Sequence, residues 1–372
     1  MRIVIAPDSF KGTLSALQVA QAVAHGVQRA LPDAMIQLFP MADGGEGTLD
    51  AVLFARQGAR HSAAVSGVTG QSLQAAYGVL DDGTAVIEAA QVVGLPLSAG
   101  SHVAQRSTRG MGELMHQCLG QGVRRFMIGL GGSSTNEAGA GLLEALGVQL
   151  RDIDGKPIAP TPAGLATLSQ VAFGALDPRL ASCDITLMTD VDNPLCGPTG
   201  ATAIFGPQKG VAAADVALFD SRLAHFAQLC AAHLGRDEAQ RPGAGAAGGL
   251  GFALMLLGGQ RCSGAEVVCE LMRLDAALTD ADWVITGEGR SDAQTLHGKL
   301  PWVVAQHARR AAVPVVLLSG SIEEASREAL ASHFDACHAL VGAEVTSAQA
   351  MHDGEYYLGL RAEAWARSIT RR

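Results

Sequence analysis

Short β-branched apolar runs that close on proline or glycine constrain this chain more than any other feature. Arg2-Ile3-Val4-Ile5-Ala6 stops at Pro7, Asp282-Trp283-Val284-Ile285-Thr286 stops at Gly287, and Val315-Val316-Leu317-Leu318-Ser319 stops at Gly320. A run that is apolar on both faces reads as a strand buried inside a parallel sheet. Helical sequence follows the first: Leu14, Leu17, Ala20, Val23, Ala24 and Val27 recur at helical spacing, Thr13 or Ser15 can cap them, and Pro32-Asp33 ends them. A further strand at residues 35–39 leads into a helix over residues 49–54, and residues 302–311 read as helix after the second run. Strands alternating with helices predict a parallel sheet whose functional loops leave the carboxyl ends of its strands.

The middle of the chain is more heterogeneous. Strand candidates lie at residues 85–88, 125–130 and 185–190, and helices at 108–119, 137–146, 215–233 and 246–257. Asp154-Gly155-Lys156-Pro157 is a turn between two short extended segments. With 372 residues, two domains are expected. No internal repeat and no long linker separates them, which favours an interleaved arrangement. The expected fold class is therefore α/β with two α/β domains. One has a mainly parallel sheet built from both chain ends, residues 1–65 plus 280–372; the other is an inserted mixed α/β domain, residues 66–279.

Composition sets the outer limits. Hydrophobic residues make up 48% and charged residues 17%, which excludes a disordered chain, and with aromatics at 4% the core is aliphatic. A formal charge of −9 without a long Lys/Arg run argues against nucleic acid as a partner. An anionic substrate must then be met by a local site. The apolar run before Pro7 is too short for a secretory signal, and the longest, around Leu250 to Leu257, falls well below the ~20 residues that span a bilayer. Seven cysteines without a C-x-x-C pair read as reduced packing residues, and His and Cys nowhere cluster at zinc spacing. A cytoplasmic protein is the expectation.

Six loops carry candidate chemistry. Asp8-Ser9-Phe10-Lys11-Gly12-Thr13 places a lysine beside glycine at a helix start, suited to an anion, or is a plain loop with a capping threonine. Asp43-Gly44-Gly45-Glu46-Gly47-Thr48 sets two acids among glycines, able to hold Mg²⁺ or to form a tight turn before a helix. Gly129-Leu130-Gly131-Gly132-Ser133-Ser134-Thr135-Asn136-Glu137 resembles a phosphate or carboxylate cradle. It is neither a Walker A loop nor a G-x-G-x-x-G fingerprint. Thr189-Asp190-Val191-Asp192-Asn193 offers an acid at a strand end, with Lys209 following in Phe205-Gly206-Pro207-Gln208-Lys209-Gly210, or else forms a pair of Asx turns. The run Pro242-Gly243-Ala244-Gly245-Ala246-Ala247-Gly248-Gly249 can offer a ligand only backbone, or simply connects into a helix. Gly287-Glu288-Gly289-Arg290-Ser291-Asp292 combines acid and base in a post-strand loop, with Gly298-Lys299 close behind. Among the histidines, His297 alone neighbours one of these loops. The loops point to an enzyme handling a phosphorylated or carboxylated small molecule.

Together they closely resemble the class I glycerate kinases. The matching text is A-P-D-S-F-K-G-T-L-S-A from Ala6, P-M-A-D-G-G-E-G-T from Pro40, G-L-G-G-S-S-T-N from Gly129 and T-D-V-D-N-P-L from Thr189. It continues as F-G-P-Q-K-G from Phe205, P-G-A-G-A-A-G-G-L-G from Pro242 and T-G-E-G-R-S-D-A-Q-T from Thr286. The likeness runs the length of the chain in the family's order. Two departures stand out: Glu137-Ala138 occupies the place of an Asp-Gly pair, which leaves Glu137 without a carried-over role, and Ser291 replaces a more usual apolar residue.

The resemblance implies a Rossmann-like domain from both chain ends, a second α/β domain, and a cleft between them. It implies phosphorylation of D-glycerate by ATP with Mg²⁺, with 2-phosphoglycerate as the usual product and 3-phosphoglycerate the alternative. By the same resemblance Asp190 would orient or deprotonate the substrate hydroxyl, and Lys11 and Lys209 would neutralise triphosphate oxygens. Arg290 would pair with the substrate carboxylate, and Ser9 and Asp292 would bind its hydroxyls. Gly131, Gly132, Ser133, Ser134 and Thr135 would cradle the nucleotide, and Asp43, Glu46 and Asp192 would hold Mg²⁺. Two other classes compete. A hydroxy-acid dehydrogenase would want G-x-G-x-x-G after the first strand, and a non-catalytic binding protein would have lost charged residues from several loops; neither condition is met.

Overall fold

The computed structural model describes residues 1–370. In chain order its strands are β1 (Arg2–Ile5), β2 (Met35–Leu38), β3 (Gly58–Ser66), β4 (Ser72–Leu80), β5 (Thr84–Glu88), β6 (Arg125–Gly129), β7 (Gln149–Arg151), β8 (Gln170–Ala172), β9 (Asp184–Met188), β10 (Gln260–Cys262), β11 (Trp283–Ser291), β12 (Val315–Ile322) and β13 (Ala336–Ala339). The chain divides into two compact units, Met1–Arg56 with Gly264–Arg372, and Gln57–Ser263.

In the first unit five strands form one parallel sheet in the order β13-β12-β11-β1-β2. Ile3 and Ile5 of β1, Ile285 of β11 and Val316 and Leu318 of β12 pack into one core with Val19, Val23 and Val27 of the helix Ala16–Ala30. That helix is started by a capping box, Ser15 accepting from the Gln18 amide while the Gln18 side chain accepts from Ser15. Strand order reverses between β1 and β11, a doubly wound arrangement that leaves a crevice at the carboxyl ends of those two strands.

Gly287-Glu288-Gly289-Arg290, expected as a loop, is strand. β11 continues to Ser291, with Glu288 opposite Ser319 and Arg290 opposite Ser321 of β12. A Cβ on Gly287 would overlap the Leu318 carbonyl oxygen, so glycine lets the two strands close up here. Gly287, which resembles loop punctuation, permits close pairing instead.

The second unit holds a six-stranded mixed sheet in the order β10-β9-β6-β5-β4-β3, parallel from β10 to β5 and antiparallel beyond, and a two-stranded ribbon of β7 and β8. Ile87, Phe126, Ile128, Ile185 and Leu187 of its central strands share one core with Met111, Leu114 and Met115 of the helix Arg109–Gly120. The β3–β4 hairpin escaped the sequence reading because most of β3 is exposed and has no apolar alternation. The helix expected from residue 137 begins only at Ala140. Ala247, Gly248 and Gly249 are left-handed at the head of the helix Ala246–Leu256, which turns the backbone so that the Gly248 carbonyl accepts the Ala138 amide at 3.0 Å. This packs two of the glycine-rich segments against one another.

Candidate active site

Each unit carries a pocket at the carboxyl ends of its parallel strands. In the first, a cavity of about 430 Å³ is lined by Asp8, Ser9 and Lys11 after β1, by Asp43 after β2, by Glu288, Arg290 and Asp292 on and after β11, and by Lys299. This is the crevice where the strand order reverses.

Asp8 is buried and accepts the Ser9 amide at 2.7 Å. Burial, reinforced by Asp43, holds its carboxyl well above the usual range. Lys11 stands 3.7 Å from Asp43, which raises the lysine's own pKa against the opposing effect of burial. The Ser9 hydroxyl is buried and has no hydrogen-bond partner among the described residues. A buried orphan hydroxyl at a cavity wall is available to a ligand.

Glu288 is 7% exposed. Its Oε1 accepts from the Thr295 hydroxyl at 2.5 Å and the Ser291 hydroxyl at 2.9 Å, and Oε2 lies 3.5 Å from Lys299 Nζ. Burial pushes the carboxyl up, and the Lys299 charge opposes it. Asp292 caps the turn Ala293–Leu296 through Oδ1, which also lies 3.3 Å from Lys299 Nζ. Arg290 sits at the rim, two-thirds exposed, 3.5 Å from Glu323 and 4.0 Å from Asp292.

The second unit's cavity, about 170 Å³, is lined by Gly131, Gly132 and Ser133 after β6, by Thr189 and Val191 after β9, and by Lys209. Lys209 is 3% exposed and donates to the Ser133 hydroxyl at 3.0 Å and the Thr135 carbonyl at 2.8 Å. Both partners are neutral, and burial pulls the ammonium down to about 7, with Glu137 raising it and Arg106 lowering it. Ser134 and Thr135 turn inward: the Ser134 hydroxyl donates to the Val93 carbonyl at 2.9 Å, and the Thr135 hydroxyl is buried without a partner among the described residues.

The structure thus places Ser9, Lys11, Asp43, Arg290 and Asp292 on one pocket, and Gly131, Gly132, Ser133 and Lys209 on another. Asp190 lies between Thr189 and Val191, half-buried, and is not among the lining residues. Glu46 is exposed ahead of the helix Thr48–Ala55, while Asp192 is exposed and paired with Arg261 at 2.5 Å. Asp43 and Glu46 belong to the first unit and Asp192 to the second. Among the described residues no group of three or more His, Cys, Asp or Glu side chains is placed to hold a metal.

Several residues of the sites escaped the sequence reading. Asp8, Glu288 and Lys299 stand in or beside the quoted motifs, whose text does not set them apart from their neighbours. Arg106, 7% exposed, donates to the carbonyls of Ser101, Ser134 and Lys209, tying three segments together; no local pattern marks it. Glu137 has a structural place. It is fully buried and accepts from Thr108 N, Thr108 Oγ1, Gly139 N and Gly141 N. Burial raises its carboxyl, and those donors oppose the rise.

Residues 3–370 match the model of the glycerate kinase family. The chain is 44% identical over 328 residues to the glycerate 2-kinase of Escherichia coli K12, covering 87% of this chain and 86% of that one. It is 41% identical over 376 residues to the glycerate kinase of Bacillus subtilis 168, covering 99% and 98%. A crystal structure ascribed to a glycerate kinase 2 of Salmonella typhimurium LT2 superposes with a TM-score of 0.84 at 41% identity, covering 100% of this chain and 98% of that one. Among the described residues no helix is long and apolar enough to cross a membrane.

Proposed function

The chain belongs to the glycerate kinase family, and on that premise we propose that it transfers the γ-phosphoryl group of ATP to D-glycerate, giving 2-phosphoglycerate. One observation carries the assignment of roles: Lys209, a buried ammonium bonded, among the described residues, only to a hydroxyl and a carbonyl, on the wall of a glycine-lined pocket. An ammonium so placed is suited to the phosphate oxygens of a nucleotide, with Gly131, Gly132 and Ser133 beside it; Ser134 and Thr135 shape the turn from within.

The acid substrate belongs to the first unit's pocket. Arg290 offers a planar fork to the carboxylate, and Ser9 and Asp292 face the hydroxyls. Lys11 supplies positive charge to the phosphoryl group, and Asp190 orients or deprotonates the attacking hydroxyl. Phosphoryl transfer needs little covalent chemistry from the protein, so positioning and charge carry most of the acceleration.

Mg²⁺ accompanies the nucleotide, and the donor set fits it. Mg²⁺ keeps most of its waters and takes one or two carboxylates beside the phosphates, so a protein-only cluster is not required. Asp43, on its pocket wall, would hold the ion, and the exposed Glu46 of the same unit would reach it through water. Its contribution when bound is to neutralise charge on the phosphates.

The test is ADP release with D-glycerate, ATP and Mg²⁺, followed by phosphorus NMR of the product. Release without a phosphorylated acid, or no release at all, overturns the reading. A 3-phosphoglycerate product would retain the activity and reverse the choice of hydroxyl.

A further inference from the structure

Lys299 has been given no role, and the segment around it is built to place it. The chain from Glu288 to Lys299 doubles back on itself. Asp292 accepts the Gln294 amide while Thr295 Oγ1 accepts the Asp292 amide at 3.0 Å, a reciprocal cap that fixes the turn. The same Thr295 hydroxyl donates to Glu288 at 2.5 Å, and the Ser291 hydroxyl at 2.9 Å; Ser291 in turn meets the Ser319 hydroxyl of β12 at 2.7 Å. Glu288 Oε1 is thereby filled from within, and Oε2 is left facing Lys299. The ammonium is then held from two sides, 3.5 Å from Glu288 and 3.3 Å from Asp292, at the first residue before the helix Leu300–Arg310.

A lysine serving only this pairing would be sealed among its partners. Lys299 instead lies on the cavity wall with 30% of its side chain exposed. An ammonium carries three donors, and its two contacts here are long, so capacity remains for an anionic oxygen. The cavity's charge requires such a cation. Asp8, Asp43, Glu288 and Asp292 stand against Lys11, Lys299 and Arg290, and Arg290 is at the rim. A carboxylate entering between these acids needs an ammonium fixed in the wall.

We propose that Lys299 is a further substrate-binding residue that receives the carboxylate of the hydroxy acid inside the cavity, with Glu288 as its positioning residue. This rests on the reading of the first unit's pocket as the acid site.

Turnover of D-glycerate by the wild-type protein tests that underlying reading alone. For the inference, Lys299→Met raises KM for D-glycerate about ten- to hundredfold, the loss of a charge-assisted hydrogen bond, while KM for ATP stays near wild type. Lys299→Arg recovers most of the loss. Thr295→Val, which loosens Glu288, raises the same KM about threefold with kcat unchanged. An unchanged KM for D-glycerate in Lys299→Met, or a rise confined to ATP, overturns the proposal, as does a Thr295→Val variant that loses kcat at constant KM. A second measurement needs no variant: D-glycerate shields Lys299 of the wild-type protein from acetylation by acetic anhydride, read by peptide mass spectrometry. Equal labelling with and without D-glycerate refutes it, whether or not the acid is turned over.

Discussion

Replacing Glu137 by glutamine removes one oxygen from a carboxylate that receives four donors. Oε1 accepts from Thr108 N at 2.8 Å, Thr108 Oγ1 at 2.6 Å and Gly141 N at 3.1 Å, and Oε2 from Gly139 N at 2.6 Å. The glutamine amide nitrogen has no lone pair to offer, so its least costly placement is opposite Gly139, where donor meets donor. A lost bond to a charged acceptor costs about 1.5–3 kcal/mol, and the orphaned Gly139 amide brings the total to about 2–4 kcal/mol, part of it offset because a charge is no longer buried. Urea unfolding followed by far-ultraviolet circular dichroism measures this loss, with hydrogen exchange at Gly139 and Gly141 as the local readout. Trp283, Trp302 and Trp365 all lie in the other unit, so tryptophan fluorescence would not report it. The substitution also strips Lys209 of the charge that supports its ammonium, and the titration of that lysine should move below about 7. A stability loss under about 1 kcal/mol would mean that the folded carboxyl already carries a proton, and the account of Glu137 as an anion would fall.

Lys209 provides a second test. With its ammonium at about 7, kcat/KM for ATP should fall as pH rises through that value, and Lys209→Met should lose both this limb and about a hundredfold in rate. The stability sign runs the other way: the unfolded lysine titrates near 10.5, so between about 7 and 10.5 the unfolded chain holds one more proton, and stability rises with pH in that window in wild type but not in Lys209→Met. Gly287→Ala should cost about 1–3 kcal/mol by forcing β11 from β12, whereas Gly289→Ala, whose nearest neighbour would be Phe10 Cα at 3.4 Å, should change the melting temperature little; equal effects would refute the close-approach argument. Asp190→Asn should lower turnover by orders of magnitude in ADP release with the circular dichroism spectrum intact, and a near-normal rate would remove Asp190 from the mechanism.

The parts of the fold legible in the sequence are those whose signal is local. Ile3-Val4-Ile5 and Val315-Val316-Leu317-Leu318 are apolar on both faces because both faces of their sheet are covered, and the helix Ala16–Ala30 carries its stripe and its cap within one segment. The β3–β4 hairpin left no such trace, since an exposed edge strand has only one neighbour to satisfy. Gly287 misled for a related reason: glycine marks close approach as readily as it marks a turn, and only the position of the Leu318 carbonyl decides between them.

The candidate sites divide along the same line. Alone, the chain determined which segments carry charge, that most of them follow strands of an α/β fold, and, through seven ordered motifs, the family to which they belong. Tertiary structure decided which side chains share a pocket, that Ser134 and Thr135 turn inward beside Ser133, and that Glu137, Arg106 and Lys299 serve as anchor, tie and poised cation. A motif records the residues at a place but not the groups that distant segments bring against it. The environment that buries Lys209 and brings Arg106 to its carbonyl exists only once strands far apart in the chain have paired.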